Sequence, residues 1–476
     1  MRFIIEARFL DADSSDQPTL LLAIERRDAR LDPSTLGLTL QEGRDLLRSA
    51  QQALVSGQVA RWLQLRSHCR HCGSQYPHKD FRSVTYRSIF GRVQLPSPRW
   101  YRCACRNSPL AGRLPRPTWS PLTSALRQRV SPCLERLQVE FAAHMPYARA
   151  VELLNEVLPL EDCISVSGTK NRVRAVAAQL EVAVADAVEA LPTPTLPATS
   201  AKSVSLLAID SVWLRHCRPG RMHQRQVSIA AARATLGDGS NRVCGYVTKQ
   251  VARSSKRMDA FLSRLGVQPH ERVTAIADAA VEFETAIAES PYTGLRIIDW
   301  FHIAMKFRAA EQSAFGARDQ PWTWIEPKAI ELRLQRAKWR LWNGRSASAI
   351  EAIASLVQII ETLEDEPSST LIRNLEKLQS YLESNQRYMI NYGQRYRAGL
   401  PISSAPAESA VNELVSVRMA KRQQMRWSDE GAHALVQVRA ALLNGELQAR
   451  RQPAPWYRRA AVNAWTFDEH LEPLAA

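Results

Sequence analysis

Hydrophobic and polar positions along the chain fall into three regimes. Up to about residue 116 apolar residues come in short runs and alternations. Phe3–Leu10 and Thr19–Ile24 read as strands, and Leu40–Val55 reads as a helix with a mixed face. The alternation in Ser83–Val93 is that of half-buried strands. Residues 120–190 switch to helical spacing. Pro121–Ala143 predicts one helix, and Tyr147–Val157 a second with Ala150, Val151, Leu153, Leu154 and Val157 on its apolar side. Pro159 stops it. A third helix opens within Ile164–Arg172, behind serines that suit an N-cap, and runs to about Val188. Residues 191–203 are rich in proline, threonine and serine and read as a linker.

Beyond the linker strands return. Val204–Ile209 ends at Asp210, Val273–Ala277 at Asp278, and Leu295–Ile298 at Asp299. Gln226–Ala232 and Val243–Val247 are separated by the turn Gly237–Ser240. Three strands of antiparallel type, then alternating helix and strand, predict a mixed α/β sheet. From Phe301 to Tyr396 the spacing is almost wholly helical, and a further helix starts near Pro406 and passes Glu408. The resulting segments are an N-terminal α/β part (1–60), a cysteine module (61–116), a helical module (120–190), the linker (191–203), a sheet (204–310), a helical insertion (311–400), the helix bearing Glu408 (401–440) and a basic tail (441–476).

Composition narrows the classes of function. The 476 residues carry a formal net charge of +16, which points to a polyanionic partner, DNA being the usual one. No apolar stretch approaches the ~18 residues of a membrane span. The charged opening, Met1–Arg8, is not a secretory signal. A cytoplasmic protein without membrane contact is expected. Eight cysteines are too few for a disulfide scaffold in a chain of this length.

Four of those cysteines form two close pairs, Cys69-x-x-Cys72 and Cys103-x-Cys105. Structural zinc takes four tetrahedral N/S ligands, and two pairs on turns supply them, so a zinc-ribbon-like module is expected. Gly73 suits a tight knuckle after the first pair, and His68 and His71 flank it. The scattered Cys133, Cys163, Cys217 and Cys244 read as small apolar residues.

The helices around Tyr147–Val157 and Gly168–Val188 have the pattern of a helix-turn-helix, with Lys170, Arg172 and Arg174 where a recognition helix places its groove contacts. A charged solvent face on a helical bundle would read the same way.

Aspartates at the carboxyl ends of strands lie where open α/β sheets bind ligands. Gathered carboxylates repel: two charges about 4 Å apart cost about 4 kcal/mol at an effective dielectric near 20. Divalent cations relieve that repulsion. Mg²⁺ prefers carboxylate oxygens, and two ions can activate an attacking oxygen and stabilise a leaving one in phosphodiester chemistry.

The segments Leu206–Asp210, Val273–Asp278, Ile297–Ile303 and Ser404–Asn412 together resemble bacterial insertion-sequence transposases, Mutator-like and within them the Kra branch. The stretch Glu408–Trp427, containing Arg418–Arg422 and Met425–Ser428, and the segment Lys338–Gly344 add to the likeness, which spans about residues 204 to 440. The resemblance implies an RNase H-like catalytic core with a large all-helical insertion. Asp210, Asp278 and Glu408 would be the three metal ligands, for two Mg²⁺ or Mn²⁺ ions. Asp299 and His302 match an Asp-x-x-His signature, read as supporting the ligands. Lys170, Arg172, Arg174, Arg418, Lys421 and Arg422 would contact DNA. The activity implied is recognition of terminal inverted repeats, strand cleavage and strand transfer into target DNA. A homodimer or higher multimer on double-stranded DNA, associated with the bacterial nucleoid, would carry it out. Relatives have Gly after the second Asp, whereas Ala279-Ala280 follow here, and Glu282 and Glu284 are nearby alternatives. Two other readings stay open: a non-catalytic DNA-binding regulator derived from a transposase, and an RNase H-fold nuclease acting on branched DNA.

Overall fold

A computed structural model describes residues 1–9, 18–26, 33–103, 105, 117–161, 163–191, 204–218, 226–269, 271–278, 286–287, 290–316, 327–362, 369–420 and 425–449. Ala279, Ala280, Glu282, Glu284, Lys421, Arg422, nearly all of the linker and the tail from residue 450 lie outside these. The chain divides into two compact units, Met1–Val173 and Arg174–Ala476. Among the described residues no helix is long and apolar enough to cross a membrane.

In the first unit β1 (Arg2–Ala7) and β2 (Thr19–Glu25) form an antiparallel pair. Helix α1 (Leu40–Gln64) starts at a capping box in which Thr39 and Glu42 satisfy each other's backbone N–H groups. It outruns the sequence expectation, which stopped it at Val55. Val55, Val59 and Leu63 recur at helical spacing and pack on Val84, Val93, Leu95 and Leu122, and that contact carries the helix past Gly57. Gly57 itself leaves room for the ring of Phe9. β3 (His78–Ser88) and β4 (Gly91–Tyr101) make a hairpin with Val84 opposite Leu95, and β5 (Thr118–Trp119) pairs with the end of β4.

The helix expected over Pro121–Ala143 is two: α2 (Pro121–Ala125) and α3 (Pro132–His144). Pro132 lacks the N–H a continuing helix needs, and Ser131 caps the new start by accepting from the Leu134 N–H at 3.2 Å. Next come α4 (Tyr147–Val157) and α5 (Val166–Glu189). Leu134, Leu154, Leu160 and Ile164 form a common core. The division between units falls inside α5 rather than at the linker. The second half of α5 belongs to the second unit because Glu181 takes two N–H donors from Arg257 and one from His433.

The second unit is built on a five-stranded mixed sheet: β6 (Val204–Arg215), β7 (Gln226–Leu236), β8 (Asn241–Val247), β9 (Val273–Ala277) and β10 (Thr293–Ile298), in the order β10-β9-β6-β7-β8. β6, β7 and β8 run as an antiparallel meander; β9 and β10 add in parallel on the other side. The sheet lies between two cores. Leu207 and Ile209 join Met258 and Leu262 of α6 (Ser254–Arg264) in one. Leu206 joins Ile298, Ile303 and Phe307 in the other, with α7 (Trp300–Gly316), α8 (Pro327–Trp342), α9 (Ser346–Glu361) and α10 (Ser369–Asn385). A short α11 (Tyr392–Arg397) leads back to the sheet, where the Tyr392 hydroxyl donates to the Ile298 carbonyl at 2.8 Å.

α12 (Ala405–Val411) packs on β6 and β7 through buried Ala407, Ala410 and Val411. It continues through a π turn, Asn412–Ser416, into Val417–Met419. α13 (Asp429–Leu443) then packs on β8, with α14 (Glu446–Ala449) after it. Gly245 on β8 makes this close layering possible: a Cβ there would lie 2.5 Å from Leu414 and 3.1 Å from both Val436 and the Ala230 carbonyl. Gly245→Val is therefore expected to cost about 1–3 kcal/mol through overpacking, read as a shift in urea midpoint. An unchanged midpoint would show that the layer can yield.

Candidate functional site

β6 does not end at Asp210, as its sequence suggested, but runs on to Arg215 against β7. What ends there is the pairing with β9. Ile209 is the last residue of β6 in register with it, opposite Ala277, and Asp278 comes directly after. Asp210 and Asp278 thus stand side by side where two parallel strands part. Side chains alternate along a strand, so Asp210 shares the face of Leu206 and Ala208, the face covered by the insertion helices.

Glu408 reaches this place because the chain returns from the insertion along a fixed track. The Asp299 N–H donates to the Ala277 carbonyl at 3.2 Å, and the Trp300 N–H to the Ile402 carbonyl at 3.0 Å. The Asp299 side chain, 1% exposed, does the rest. Its Oδ1 accepts the Phe301 N–H at 2.6 Å, capping α7, while its Oδ2 accepts both the N–H of Ser404, at 3.0 Å, and the Ser404 hydroxyl. Asp299 therefore ties the end of β10 to the start of α12. His302 lies one turn along, with Nε2 4.0 Å from Asp299 Oδ2. Both carboxylate oxygens of Asp299 are thus engaged by neighbouring backbone and hydroxyl groups. Ser404→Ala removes a buried hydroxyl donor to a carboxylate and is expected to cost about 1.5–3 kcal/mol in urea unfolding; no loss would mean that Asp299 does not anchor α12.

Burial pushes the Asp210 carboxyl above its ordinary value, and the charges of Asp278 and Glu408 push it further. The Ser211 N–H, donating to Asp210 Oδ1 at 2.7 Å, and the charge of His302 oppose that rise. Asp210, Asp278, Glu408 and His302 therefore occupy one neighbourhood. Asp210 and Asp278 are half-buried and Glu408 is exposed. Their oxygens are not drawn tightly together: among the described residues, the group of His, Cys, Asp or Glu ligand atoms close enough to hold a metal ion is the cysteine cluster.

Sequence reasoning missed three further groups. Arg296, on β10, donates to the Asp278 carbonyl at 3.4 Å and lies 4.1 Å over the Tyr388 ring. Tyr381, on α10, has its hydroxyl pKa raised by burial and then by the charges of Asp278 and Asp299. Ser404 was legible, being a serine just ahead of a helix that opens with Pro406. Nothing local marks Arg296 or Tyr381.

The basic residues separate. Lys170 and Arg174 are exposed one turn apart on α5, whereas Arg172 is half-buried and reaches Glu135 at 3.4 Å. Arg418 corrects an expectation. It is fully buried, its guanidinium 5.6 Å from the Trp427 ring centroid and one N–H 3.4 Å from Met425 Sδ, so it cannot present its charge to DNA. Trp427, in turn, is fixed beside β6 by the Cys217 N–H donating to its carbonyl at 2.9 Å.

The second centre lies in the first unit. The sulfurs of Cys69, Cys72, Cys103 and Cys105 all lie within 4.8 Å of one another, an arrangement able to hold a metal ion. Gly73, at φ 72°, makes the knuckle turn by donating to the Cys69 carbonyl at 2.9 Å. Beside it Tyr76, Trp100 and Trp119 pack with ring centroids 5.8–6.0 Å apart. Ser74 holds the Cys72 thiol down to about 6, whereas burial and then the neighbouring cysteines push Cys105 up to about 12. No protein-family model matches the chain, and no curated protein is found to be similar to it.

Proposed function

We propose that this protein is a metal-dependent DNA transposase of the insertion-sequence type, with an RNase H-like core whose ligands are Asp210, Asp278 and Glu408. The observation that carries the reading is the strand register: Ile209 pairs with Ala277, so Asp210 and Asp278 follow side by side, and the charges of Asp278 and Glu408 both act on Asp210. These three come from a central strand, the end of the strand beside it and a helix beyond the whole insertion, and the charges of Asp278 and Glu408 raise the cost of the Asp210 carboxylate. Mg²⁺ or Mn²⁺, as a pair of ions, suits an all-oxygen set and would polarise the phosphodiester and the attacking oxygen.

The chain's own residues do the positioning. Asp210 and Asp278 are set by strand register, and Glu408 by the Asp299–Ser404 tether. The net charge of +16 supports DNA as partner, both terminal inverted repeats and target, with Lys170 and Arg174 on α5 as the exposed contacts. Four thiols whose sulfurs all lie within 4.8 Å of one another favour structural zinc in the cysteine cluster. A multimer acting on two element ends, in the bacterial nucleoid, is part of the same reading.

The test is cleavage of supercoiled DNA carrying the element's ends, with Mg²⁺ or Mn²⁺. Asp278→Asn and Glu408→Gln should each remove cleavage and strand transfer while leaving DNA retention in gel shifts. Cleavage by any of these variants at the wild-type rate would overturn the ligand assignment. The wider spacing of the carboxylates compared with the cysteines favours a second reading, a DNA-binding regulator without catalysis. Specific binding of end DNA with no metal-dependent cleavage by the wild type would select it.

A further inference from the structure

α12 spans only Ala405–Val411, too short to hold Glu408 by its own hydrogen bonds. It runs into the π turn Asn412–Ser416, whose wider ring re-aims everything on either side of it. A π turn leaves its backbone groups in poorer register, so its neighbours must satisfy them. Arg439, on α13 and 5% exposed, donates from Nε to the Leu414 carbonyl at 2.6 Å and from Nη2 to the Glu413 carbonyl. Arg233, on β7, donates from Nη2 to Glu413 Oε2 at 2.9 Å. The Ser409 hydroxyl, beside Glu408, donates to Glu413 Oε1 at 3.3 Å. The Leu414 side chain fills the space that Gly245 leaves open. Backbone, side chain and packing all fix the rotation of this one turn.

Burying a guanidinium is costly unless it is used. Burial and the nearby Arg418 bring Arg439 down to about 10, so its position is not explained by an easy place for charge. We infer that Arg439, together with Arg233 acting through Glu413, is a positioning residue that sets the rotation of α12 and so the place where the Glu408 carboxylate meets Asp210. This rests on the reading of Glu408 as a metal ligand.

The test uses the full chain with Arg439→Gln, Arg439→Lys and Glu413→Gln. Amide exchange across residues 412–417 is followed alongside Mn²⁺ affinity by calorimetry. Arg439→Gln should speed exchange in the turn while β6 and β7 stay protected. It should also weaken Mn²⁺ binding by roughly tenfold, as loss of a ligand's support typically does. Arg439→Lys, which can still donate to the carbonyls, should recover part of both; a merely structural role would not link the two. Glu413→Gln, at a half-exposed side chain, should show the same changes more weakly and carries the test if Arg439→Gln does not fold. Wild-type exchange in the turn, or fast exchange with unchanged Mn²⁺ affinity, overturns the inference. If wild-type protein shows no Mn²⁺ binding that depends on Asp210, the ligand reading fails by itself. The clamp is then judged by exchange alone, and protection of the turn in Arg439→Gln would overturn it.

Discussion

On the proposed reading of Asp210 as a ligand of a catalytic ion, Asp210→Asn should lose metal-dependent DNA cleavage by at least about a thousandfold, since such a ligand supplies several kcal/mol of transition-state stabilisation. The same substitution should make the protein more stable. Burial first, and the Asp278 and Glu408 charges after it, raise the Asp210 carboxyl above its ordinary 3.8. In the window between 3.8 and that raised value the folded chain binds more protons than the unfolded one, so stability falls as pH rises. The favourable contribution is complete below the unfolded value and is lost as pH climbs through the folded one. Asn carries no charge and escapes this loss. Thermal midpoints of wild type and Asp210→Asn should therefore converge near the acid end and separate toward neutral pH, with the variant higher. Adding Mn²⁺ should close the gap by raising wild type alone, by about 2.7 kcal/mol when the ion is at a hundred times its dissociation constant. Identical midpoints at every pH, with no response to Mn²⁺, would remove the charge conflict on which the catalytic reading stands.

The sequence made the ingredients of this site visible and hid how they are assembled. Val204–Ile209, Val273–Ala277 and Leu295–Ile298 are short apolar runs with an aspartate after each, a local pattern that survives intact as β6, β9 and β10. That β6 continues past Asp210 was not readable, because Ser211–Arg215 has its partner in β7 and only the β9 pairing stops. Glu408 was placed on a helix by Pro406, yet its approach to Asp210 depends on Asp299 and Ser404, which no periodicity connects. Arg418 shows the opposite failure. The resemblance implies that Arg418 contacts DNA, but it is buried just past the π turn, its guanidinium 5.6 Å from the Trp427 ring centroid. Local chemistry is legible one residue at a time; rotations introduced by an irregular turn are not.

If the cysteine cluster holds zinc as proposed, removing the metal is expected to unfold the module around it. Its thiols are pulled in opposite directions, Cys72 down to about 6 by Ser74 and Cys105 up to about 12 by burial and its fellow cysteines. Four sulfurs within 4.8 Å cannot all ionise without a cation among them, and with one present all four must. Zinc binding should accordingly release protons, measurable as a buffer-dependent heat in calorimetry, and affinity should fall as pH is lowered. The residues from Arg70 to Gln75 are all exposed, held by the knuckle's backbone hydrogen bonds beside the Tyr76, Trp100 and Trp119 rings. Colorimetric release should find about one zinc per chain in the wild type and none in Cys105→Ser, in keeping with a single four-thiolate site. Chelated wild type and Cys105→Ser should both become open to trypsin at Arg70, Lys79 and Arg102. The sheet carrying Asp210 should keep its own melting transition, since its core is formed from Leu207, Ile209, Met258 and Leu262 within the second unit. Equal resistance to trypsin with and without the chelator would show that the module folds on its aromatic packing alone, and that the four cysteines meet without need of an ion.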